Sequence, residues 1–421
     1  MSALDTPLAG ARICLVASNT LMFHRRFLLE MQALEDAGAY LRIVGFYEDS
    51  PAPPGKEFHP VPLNTRRRPA VEELVPAGSA SARGVRSRVE NTALGIARRL
   101  AYQPWVRKPV DLVLGPEFTT TPRTELLQQF APNTDIFWAV DYLNLENTSA
   151  VAARSGVPLV YETIDLIPEY DHLGPAFSRR ARKIERNLMS QVAGFVTACD
   201  GYADYYEERY GDIPGFRRPV VHDNAPEHSV PSIRPTGESR RFLFLGALTF
   251  DRPIVELIEA CAAAGGAVDL TFQGEDYLGD APRQRIADLG LGDRVRIVEP
   301  CSGESIVETA AAYDVGIVAL RGRNENERRA TTTKLLTYMA AGLAVIGSDL
   351  PGISHVVSTH KNGRLVDEAE HGGWASALVA MSALPALELD DLKRRSLAGS
   401  ADHSWAHQRP VFVEEFRRVL R

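Results

Sequence analysis

The chain predicts an α/β protein made of two doubly wound, Rossmann-like domains. Short apolar runs of strand length alternate with segments of helical period along most of the sequence, the pattern of a parallel sheet covered on both faces. That alternation breaks around 222 to 240, at HDNAPEHSVPSIRPTGESR, which is rich in Pro, Ser and charge and reads as a linker. With 421 residues, 45% of them hydrophobic, the chain exceeds one ordinary core and suits two of about 200 residues each.

The first half opens as a βαβ unit. ARICLVAS is an apolar run of strand length, LMFHRRFLLEMQALEDAGA has helical period and ends at Gly38, and YLRIVGF is the second run. Further strands are expected in DLVLG (111–115), DIFWAV (135–140), VPLVYET (157–163) and GFVTA (194–198), with helices between several of them. Beyond the linker the alternation restarts with RFLFLGA, IVELIEACAAAGG, VDLTFQG, a helix near 281–289, RVRIVEP, SIVETAAAYD, VGIVAL, TKLLTYMAAG and AVIGSD. The tail SWAHQRPVFVEEFRRVL is again helical and is expected to pack back across the junction. The expected division is a first domain over 1–225, a linker over 226–240, a second domain over 241–402 and a returning helix over 403–421.

Composition excludes several functions. A formal net charge of −7 offers no footprint for nucleic acid. Cys14, Cys199, Cys261 and Cys301 form no CxxC or Cys/His cluster, so they read as buried small residues of a reducing compartment rather than disulfides or zinc ligands. The N-terminus lacks a signal-peptide pattern and no run approaches about 18 apolar residues, so a cytoplasmic location is expected. One basic stretch, 66–108, contains RRR, ARGVRSRVE, IARRL and VRK, with Val89, Ala93, Ile96 and Leu100 on one helical face. It is either a solvated surface helix or a patch touching anionic lipid or an anionic substrate. In the loop after the first strand, Arg26 and Glu30 have the spacing of a helical ion pair. A nicotinamide-dependent oxidoreductase is disfavoured, because that strand runs into SNTLMFH with no GxGxxG.

The stretch RRATTTKLLTYMAAG, from Arg328 to Gly342, carries the clearest chemistry. A helix start presents N–H groups without intrahelical partners and partial positive charge, so it suits an anion. Thr331, Thr332 and Thr333 can cap it, Lys334 adds a full charge, and Gly342 ends it. The fitting ligand is a phosphate or diphosphate; the bland alternative is a well-capped helix with a solvated lysine. The polar loop RGRNENERRA before it follows the strand VGIVAL, and ligands of doubly wound sheets sit beyond strand carboxyl ends. Two more loops suit the same reading: LTFDRP, with Gly246, Ala247 and Arg252, and the strand end Gln273–Gly274.

The segment TKLLTYMAAGLAVIGSDLPG resembles the Lys-x-x-Glu-Tyr-Met-Ala-Ala-Gly-x-Pro-Val-Ile-Ala-Ser-Asp-x-Pro-Gly signature of family 4 glycosyltransferases, retaining enzymes of the GT-B fold. DIFWAVDYLN, VPLVYETIDLIPE, ERNLMSQVAGFVTACDGYADYY, FLFLGAL and the tail from SWA fall in the expected order, the likeness being strongest over 301–366. The resemblance implies two Rossmann-like domains with an interdomain cleft, the first binding acceptor and the second binding donor, and a C-terminal helix crossing back. It implies that Lys334 contacts the donor diphosphate, with Arg252 and the helix start at Thr331 to Thr333. Nucleotide contacts would fall at Gly246, Gln273, Gly274, Cys301, Ser302 and Thr337. Members of this family carry two glutamates eight residues apart, the second reaching the ribose and the first the sugar; here those positions are Thr337 and Arg329. Glu325 or Glu327 could supply a carboxylate instead, and Ala247 stands where the family's Gly-Arg-Leu motif has its arginine. In the first domain Asp141, Glu162 and Asp165 are the polar groups at strand ends, and His24 is a candidate sugar or acceptor contact.

The expected function is therefore transfer of a sugar from a UDP- or GDP-linked donor, with retention, to a small metabolite or natural-product intermediate through an O, N or S nucleophile. His24, Asp141 and Lys334 are the candidate catalytic residues. No cofactor and no metal are expected, since helix dipole, Lys334 and Arg252 could neutralise the leaving diphosphate. A cell-envelope lipid or polysaccharide acceptor remains the alternative, with membrane contact through 66–108; a nucleotide-sugar epimerase and a non-catalytic sugar-nucleotide-binding protein are two others. A homodimer remains open.

Overall fold

The computed structural model describes residues 6–17, 25–45, 57–60, 121–367 and 372–421. His24, the expected strand at 111–115 and the basic stretch 66–108 lie outside the described residues.

The first sheet has seven strands in the order β3-β2-β1-β4-β5-β6-β7. They are β1 (Arg12–Ala17), β2 (Tyr40–Gly45), β3 (Glu57–Pro60), β4 (Ile136–Val140), β5 (Leu159–Thr163), β6 (Val192–Thr197) and β7 (Val220–Val221). β1 runs parallel to both β2 and β4, β2 to β3, and β6 to β7. The second sheet has six, in the order β10-β9-β8-β11-β12-β13: β8 (Arg240–Leu245), β9 (Val268–Gln273), β10 (Val295–Val298), β11 (Val315–Val318), β12 (Ala344–Ser348) and β13 (Gly363–Val366). All five of its pairings are parallel. In both sheets the chain steps outward on one side of the first strand and then returns to its other side, which creates a topological switch point beside that strand.

Alternation along the strands explains why the second sheet is covered twice. Phe242 and Phe244 join a core with Leu270, Phe272, Leu257 and Leu378 on one face. Leu243 and Leu245 face the other way and pack with Leu335, Tyr338, Met339, Ile353 and Val356. Helices Ile254–Ala263 and Gly373–Ser382 thus cover one face, and Thr333–Ala340 and Pro351–His360 the opposite one. In the first sheet β5 is buried along its whole length, as expected of a strand flanked on both faces.

By contacts the chain divides into two compact units, 1–161 with 170–192, and 162–169 with 193–419. The expected boundary at 225 does not coincide with that division, although the two sheets do change over between β7 and β8, where the linker was expected. The last helix, Trp405–Val419, lies on the final strands of the first sheet. Trp405 stacks on His222 just past β7, Glu415 accepts the backbone N–H of Phe195 in β6 at 3.1 Å, and Gln408 accepts that of Asp223 at 2.8 Å.

In the first unit, Arg26 and Glu30 form the ion pair expected from their spacing, with Nε to Oε1 3.1 Å and both side chains buried. Cys14, Cys199 and Cys261 are buried and Cys301 partly so. Among the described residues no helix is long and apolar enough to cross a membrane.

Candidate functional site

The helix Thr333–Ala340 begins as its sequence requires. Thr332 is the N-cap, extended at φ −75°, ψ 145°, and its hydroxyl accepts the N–H of Leu335 at 3.3 Å. Gly342, at φ +68°, turns the chain out of the helix, and Leu343 N–H returns to the Tyr338 carbonyl at 2.9 Å. Three close approaches fix where this helix start stands. A Cβ on Gly352 would lie 2.4 Å from the Arg329 carbonyl oxygen, a Cβ on Gly201 2.1 Å from the same atom, and the Cys199 thiol donates to it at 3.4 Å. Only glycine admits the 329–330 backbone from two sides at once. Burial pushes the Cys199 thiol up to about 12, so it acts as a small packed group and not as a nucleophile.

The switch point of the second sheet lies between β8 and β11, and Tyr338 ties the two strands together there. Its ring covers Gly316 so closely that a Cβ would stand 2.3 Å from it. Its hydroxyl accepts the Leu245 N–H at 2.7 Å and donates to the Ile317 carbonyl at 3.2 Å. Gly246 follows directly at φ +128°, a backbone that disfavours any side chain. Gly246 N–H donates to the Gln273 carbonyl at 2.9 Å, and a Cβ on Gly274 would lie 2.0 Å from the Gly246 oxygen. The expected loops after β8 and β9 are therefore one packed surface.

Lys334 crosses that surface. A Cβ on Gly246 would sit 3.0 Å from Lys334 Cε and 3.7 Å from Nζ, so the missing side chain makes the space through which the lysine passes. Although the residue keeps exposed surface, its ammonium end is crowded. Burial, and then the charge of Arg252, hold it below the usual lysine range against the opposing pull of Asp251. Arg252 has one buried guanidinium nitrogen, Nη1, without a hydrogen-bond partner, and its nearest carboxylate, Asp251, is 3.9 Å from Nε. Two cations thus share one corner with little negative charge between them. A cavity of about 350 Å³ opens beside Arg252, walled by Thr249, Phe250, Glu256 and Arg321 among others. Gln273 is buried, its Nε2 reaching the Glu299 carbonyl at 3.4 Å while Oε1 has no partner.

Other expected positions are occupied differently. The Thr337 hydroxyl is buried and donates to the Thr333 carbonyl at 2.8 Å, one turn back in its own helix. Arg329 is clamped by Glu208 at 2.6 Å and Glu325 at 2.8 Å beside the ring of Tyr205. Glu325 is spent on that pair, and Glu327 folds back to accept the Arg323 N–H at 3.1 Å. Ser302 caps the short turn Gly303–Ser305, with Cys301 half-buried beside it. Thr331 reaches the Gly352 carbonyl at 3.4 Å, and Thr333 is exposed at the first helical position.

Glu162 is fully buried in β5. Asp165 accepts from Tyr202 at 3.5 Å, close to Asn326, whose side-chain oxygen receives both the Tyr202 hydroxyl at 2.8 Å and the Leu166 N–H at 2.7 Å. The short helix Glu325–Arg329 is docked by this asparagine, which the sequence reading did not single out. Asp141 lies in the first unit at the end of β4, buried, with φ 63°. A non-glycine residue there is strained by an amount on the order of 1–3 kcal/mol, and such strain concentrates at functional sites. The structure therefore gathers Gly246, Arg252, Gln273, Gly274 and Lys334 beside the helix start of 331–333, while Thr337, Arg329, Glu325 and Ser302 make hydrogen bonds or ion pairs of their own.

Residues 239–383 match the family model described as Glycosyl transferases group 1. Over 144 residues the chain is 30% identical to the D-inositol 3-phosphate glycosyltransferase of Nocardia farcinica, covering 34% of this chain and 30% of that protein. Over 137 residues it is 29% identical to the Mycolicibacterium smegmatis protein of the same name, covering 32% of this chain and 30% of that protein. The chain thus spans about a third of the length of these curated relatives. Solved structures extend the likeness to almost the whole chain. Sucrose-phosphate synthase from Thermosynechococcus elongatus aligns with a TM-score of 0.63 at 13% identity, covering 97% of this chain and 98% of that one. A glycosyltransferase from Rickettsia africae aligns with a TM-score of 0.65 at 12% identity, covering 98% and 99%. Anabaena HepE in complex with UDP aligns with a TM-score of 0.61 at 13% identity, covering 97% and 99%. The two parallel sheets, each with its switch point, are those of the GT-B fold, and the half that holds Lys334 is the half matched by group 1 glycosyl transferases.

Proposed function

We propose that this protein is a glycosyltransferase that moves a sugar from a nucleotide-diphosphate donor to an acceptor nucleophile, with retention of configuration. The observation that carries the reading is the Lys334–Arg252 corner at the β8/β11 switch point, where two crowded cations meet a capped helix start. A diphosphate leaving group develops charge there as the glycosidic bond breaks, and preorganised donors favour that charge most in the transition state. The loops of Gly246 and Gln273–Gly274 bring backbone close enough to hold the nucleotide. HepE, a structural neighbour, has been solved with UDP and with UDP-glucose, which favours a uridine donor as the first to test.

No metal is assigned to this chemistry, because Lys334, Arg252 and the helix start supply the positive charge. The acceptor is a small metabolite or natural-product intermediate. Thr337 and Arg329 stand where the resembled family has two glutamates, and in this reading the donor sugar is gripped by other groups. Asp141, held in a strained backbone, is the first candidate on the acceptor side.

The test is a thermal-stabilisation screen of UDP and GDP and their sugars, since a ligand selective for the folded state raises the melting temperature by mass action, followed by turnover with candidate acceptors. UDP or GDP should stabilise the protein, and product should form equally with and without chelator. Loss of turnover on chelation, restored by magnesium or manganese, would remove the metal-independent part. Conversion of the donor sugar without any acceptor would indicate an epimerase instead.

A further inference from the structure

A second cluster of ionisable groups lies away from Lys334, where the last helix begins. His360 closes the helix Pro351–His360, and its Nε2 stands 3.3 Å from Nε2 of His403, in the turn before Trp405–Val419. His403 Nδ1 is 2.7 Å from Asp223 Oδ2. The same carboxylate oxygen accepts Gln408 Nε2 at 2.6 Å, and Gln408 Oε1 accepts the Asp223 N–H at 2.8 Å. One chain of contacts therefore joins the Pro351–His360 helix, the segment past β7 and the last helix. Close packing sets it: a Cβ on Gly399 would stand 2.3 Å from His360 Nδ1.

The geometry constrains the proton count. Asp223 can only accept, so His403 Nδ1 must carry a hydrogen. Between the two Nε2 atoms there is room for one hydrogen, held by either ring. The neutral pair satisfies this, and so does the pair with one added proton, in which His403 donates to His360. A second added proton leaves two donors facing each other 3.3 Å apart, with no acceptor between them and like charges on both rings. Access is open, for the cluster borders a cavity of about 440 Å³ whose wall also includes Asp200, Arg218, His355, Asp402 and His407.

We propose that His360 and His403 form a latch that holds the Trp405–Val419 helix on β6 and β7 while the pair carries one added proton, and that loosens when a second arrives. The two rings respond to pH in opposite senses. Burial lowers the affinity of His403 for a proton, but the hydrogen bond and charge of Asp223, with Asp402 and Asp200, outweigh it and leave the group raised. Its contribution to stability is present in full below the ordinary histidine value and is lost as pH rises through the raised one. For His360, burial and then the neighbouring His403 lower the group, as does His355, against Asp402. Its contribution holds above the ordinary value and is lost as pH falls toward the depressed one. Protection of the last helix should therefore peak between the two.

Hydrogen exchange of the full-length protein tests this, following the amides of 405–419 across about pH 5 to 8 with correction for intrinsic exchange. Wild type should show a maximum within that range and lose protection toward acid, by on the order of tenfold for each pK unit of depression at His360. His360→Asn, which still hydrogen-bonds but does not titrate, should abolish the acid loss. Flat protection in wild type, or an acid loss unchanged in His360→Asn, would overturn the proposal. Ring nitrogen shifts in the wild-type protein give an independent reading should the variant not fold: His360 should titrate below and His403 above an ordinary histidine, and two ordinary titrations would count against the latch. A protection maximum that disappears with chelator and returns with zinc would make the pair a metal site instead, which also overturns it. Among the described residues no group of three or more His, Cys, Asp or Glu is gathered to hold a metal.

Discussion

Lys334 is the residue on which the proposed chemistry turns, and its surroundings make two predictions. Replacing it by Ala removes a charged donor at the helix start, an interaction worth about 1.5–3 kcal/mol; UDP or GDP affinity should fall by about tenfold to about a hundredfold, measured by calorimetry. The second concerns protons. Burial and Arg252 depress the free lysine, whereas a bound diphosphate supplies the opposite charge and restores it. Binding should therefore take up protons, and affinity should fall as pH rises through the depressed value. Calorimetry in buffers of different ionisation enthalpy reads the uptake directly; an enthalpy independent of buffer across that window would exclude it. Lys334 and its cap were legible in the sequence because both are local. Where the Thr337 hydroxyl points was not legible for the complementary reason: a position in a signature does not fix a rotamer, and here the hydroxyl donates to the Thr333 carbonyl one turn back.

At the scale of the element, the helix Thr333–Ala340 is short, eight residues, and isolated helices of that length are marginal in water. Its position comes from packing. Leu335, Leu336 and Met339 enter the core below it, and Tyr338 joins β8 to β11. Tyr338→Phe keeps the ring over Gly316 but leaves the buried Leu245 N–H without its acceptor. Stability should drop by about 1–3 kcal/mol in chemical denaturation, and nucleotide affinity should weaken with it because Gly246 is the next residue. Unchanged stability would mean that water takes the hydroxyl's place. The helix itself was visible in sequence from its cap, its period and Gly342. The bridge was not, since a tyrosine in an apolar stripe reads as core until strands brought from 93 and 21 positions away meet its oxygen.

At the largest scale, a buried polar knot joins segments of the chain far apart in sequence. Lys393, fully buried, contacts Asp314 at 3.1 Å and the Arg234 carbonyl, while Asp314 also pairs with Arg234 at 2.6 Å and accepts the Arg241 N–H at 3.0 Å. Asp390 accepts the Thr236 N–H and hydroxyl at 3.0 and 2.6 Å. The knot secures the segment that enters β8 to the Ala386–Gly399 helix. Lys393→Met leaves the buried Asp314 carboxylate to Arg234 and the Arg241 N–H, so the loss should stay below the roughly 3–5 kcal/mol that a buried charge left with no counter-charge costs. The expected outcome is a lower denaturation midpoint for the variant.

What the sequence determined alone was whatever depends on neighbours along the chain. The alternation of apolar runs with helical periods announced two parallel sheets, and Thr-Thr-Thr-Lys before an apolar stripe announced a capped helix start. Even the Arg26–Glu30 pair followed from spacing. Tertiary structure decided everything that needed partners distant in sequence: that Gly246 clears a path for Lys334, that Asn326 docks the helix carrying Arg329, that Gly201 and Gly352 grip the backbone before the cap. It also decided that His360 meets His403. Periodicity and capping act over a few residues, so they are written in order; hydrogen bonds and steric fits between strands and loops depend on how the sheet closes, which no local pattern encodes.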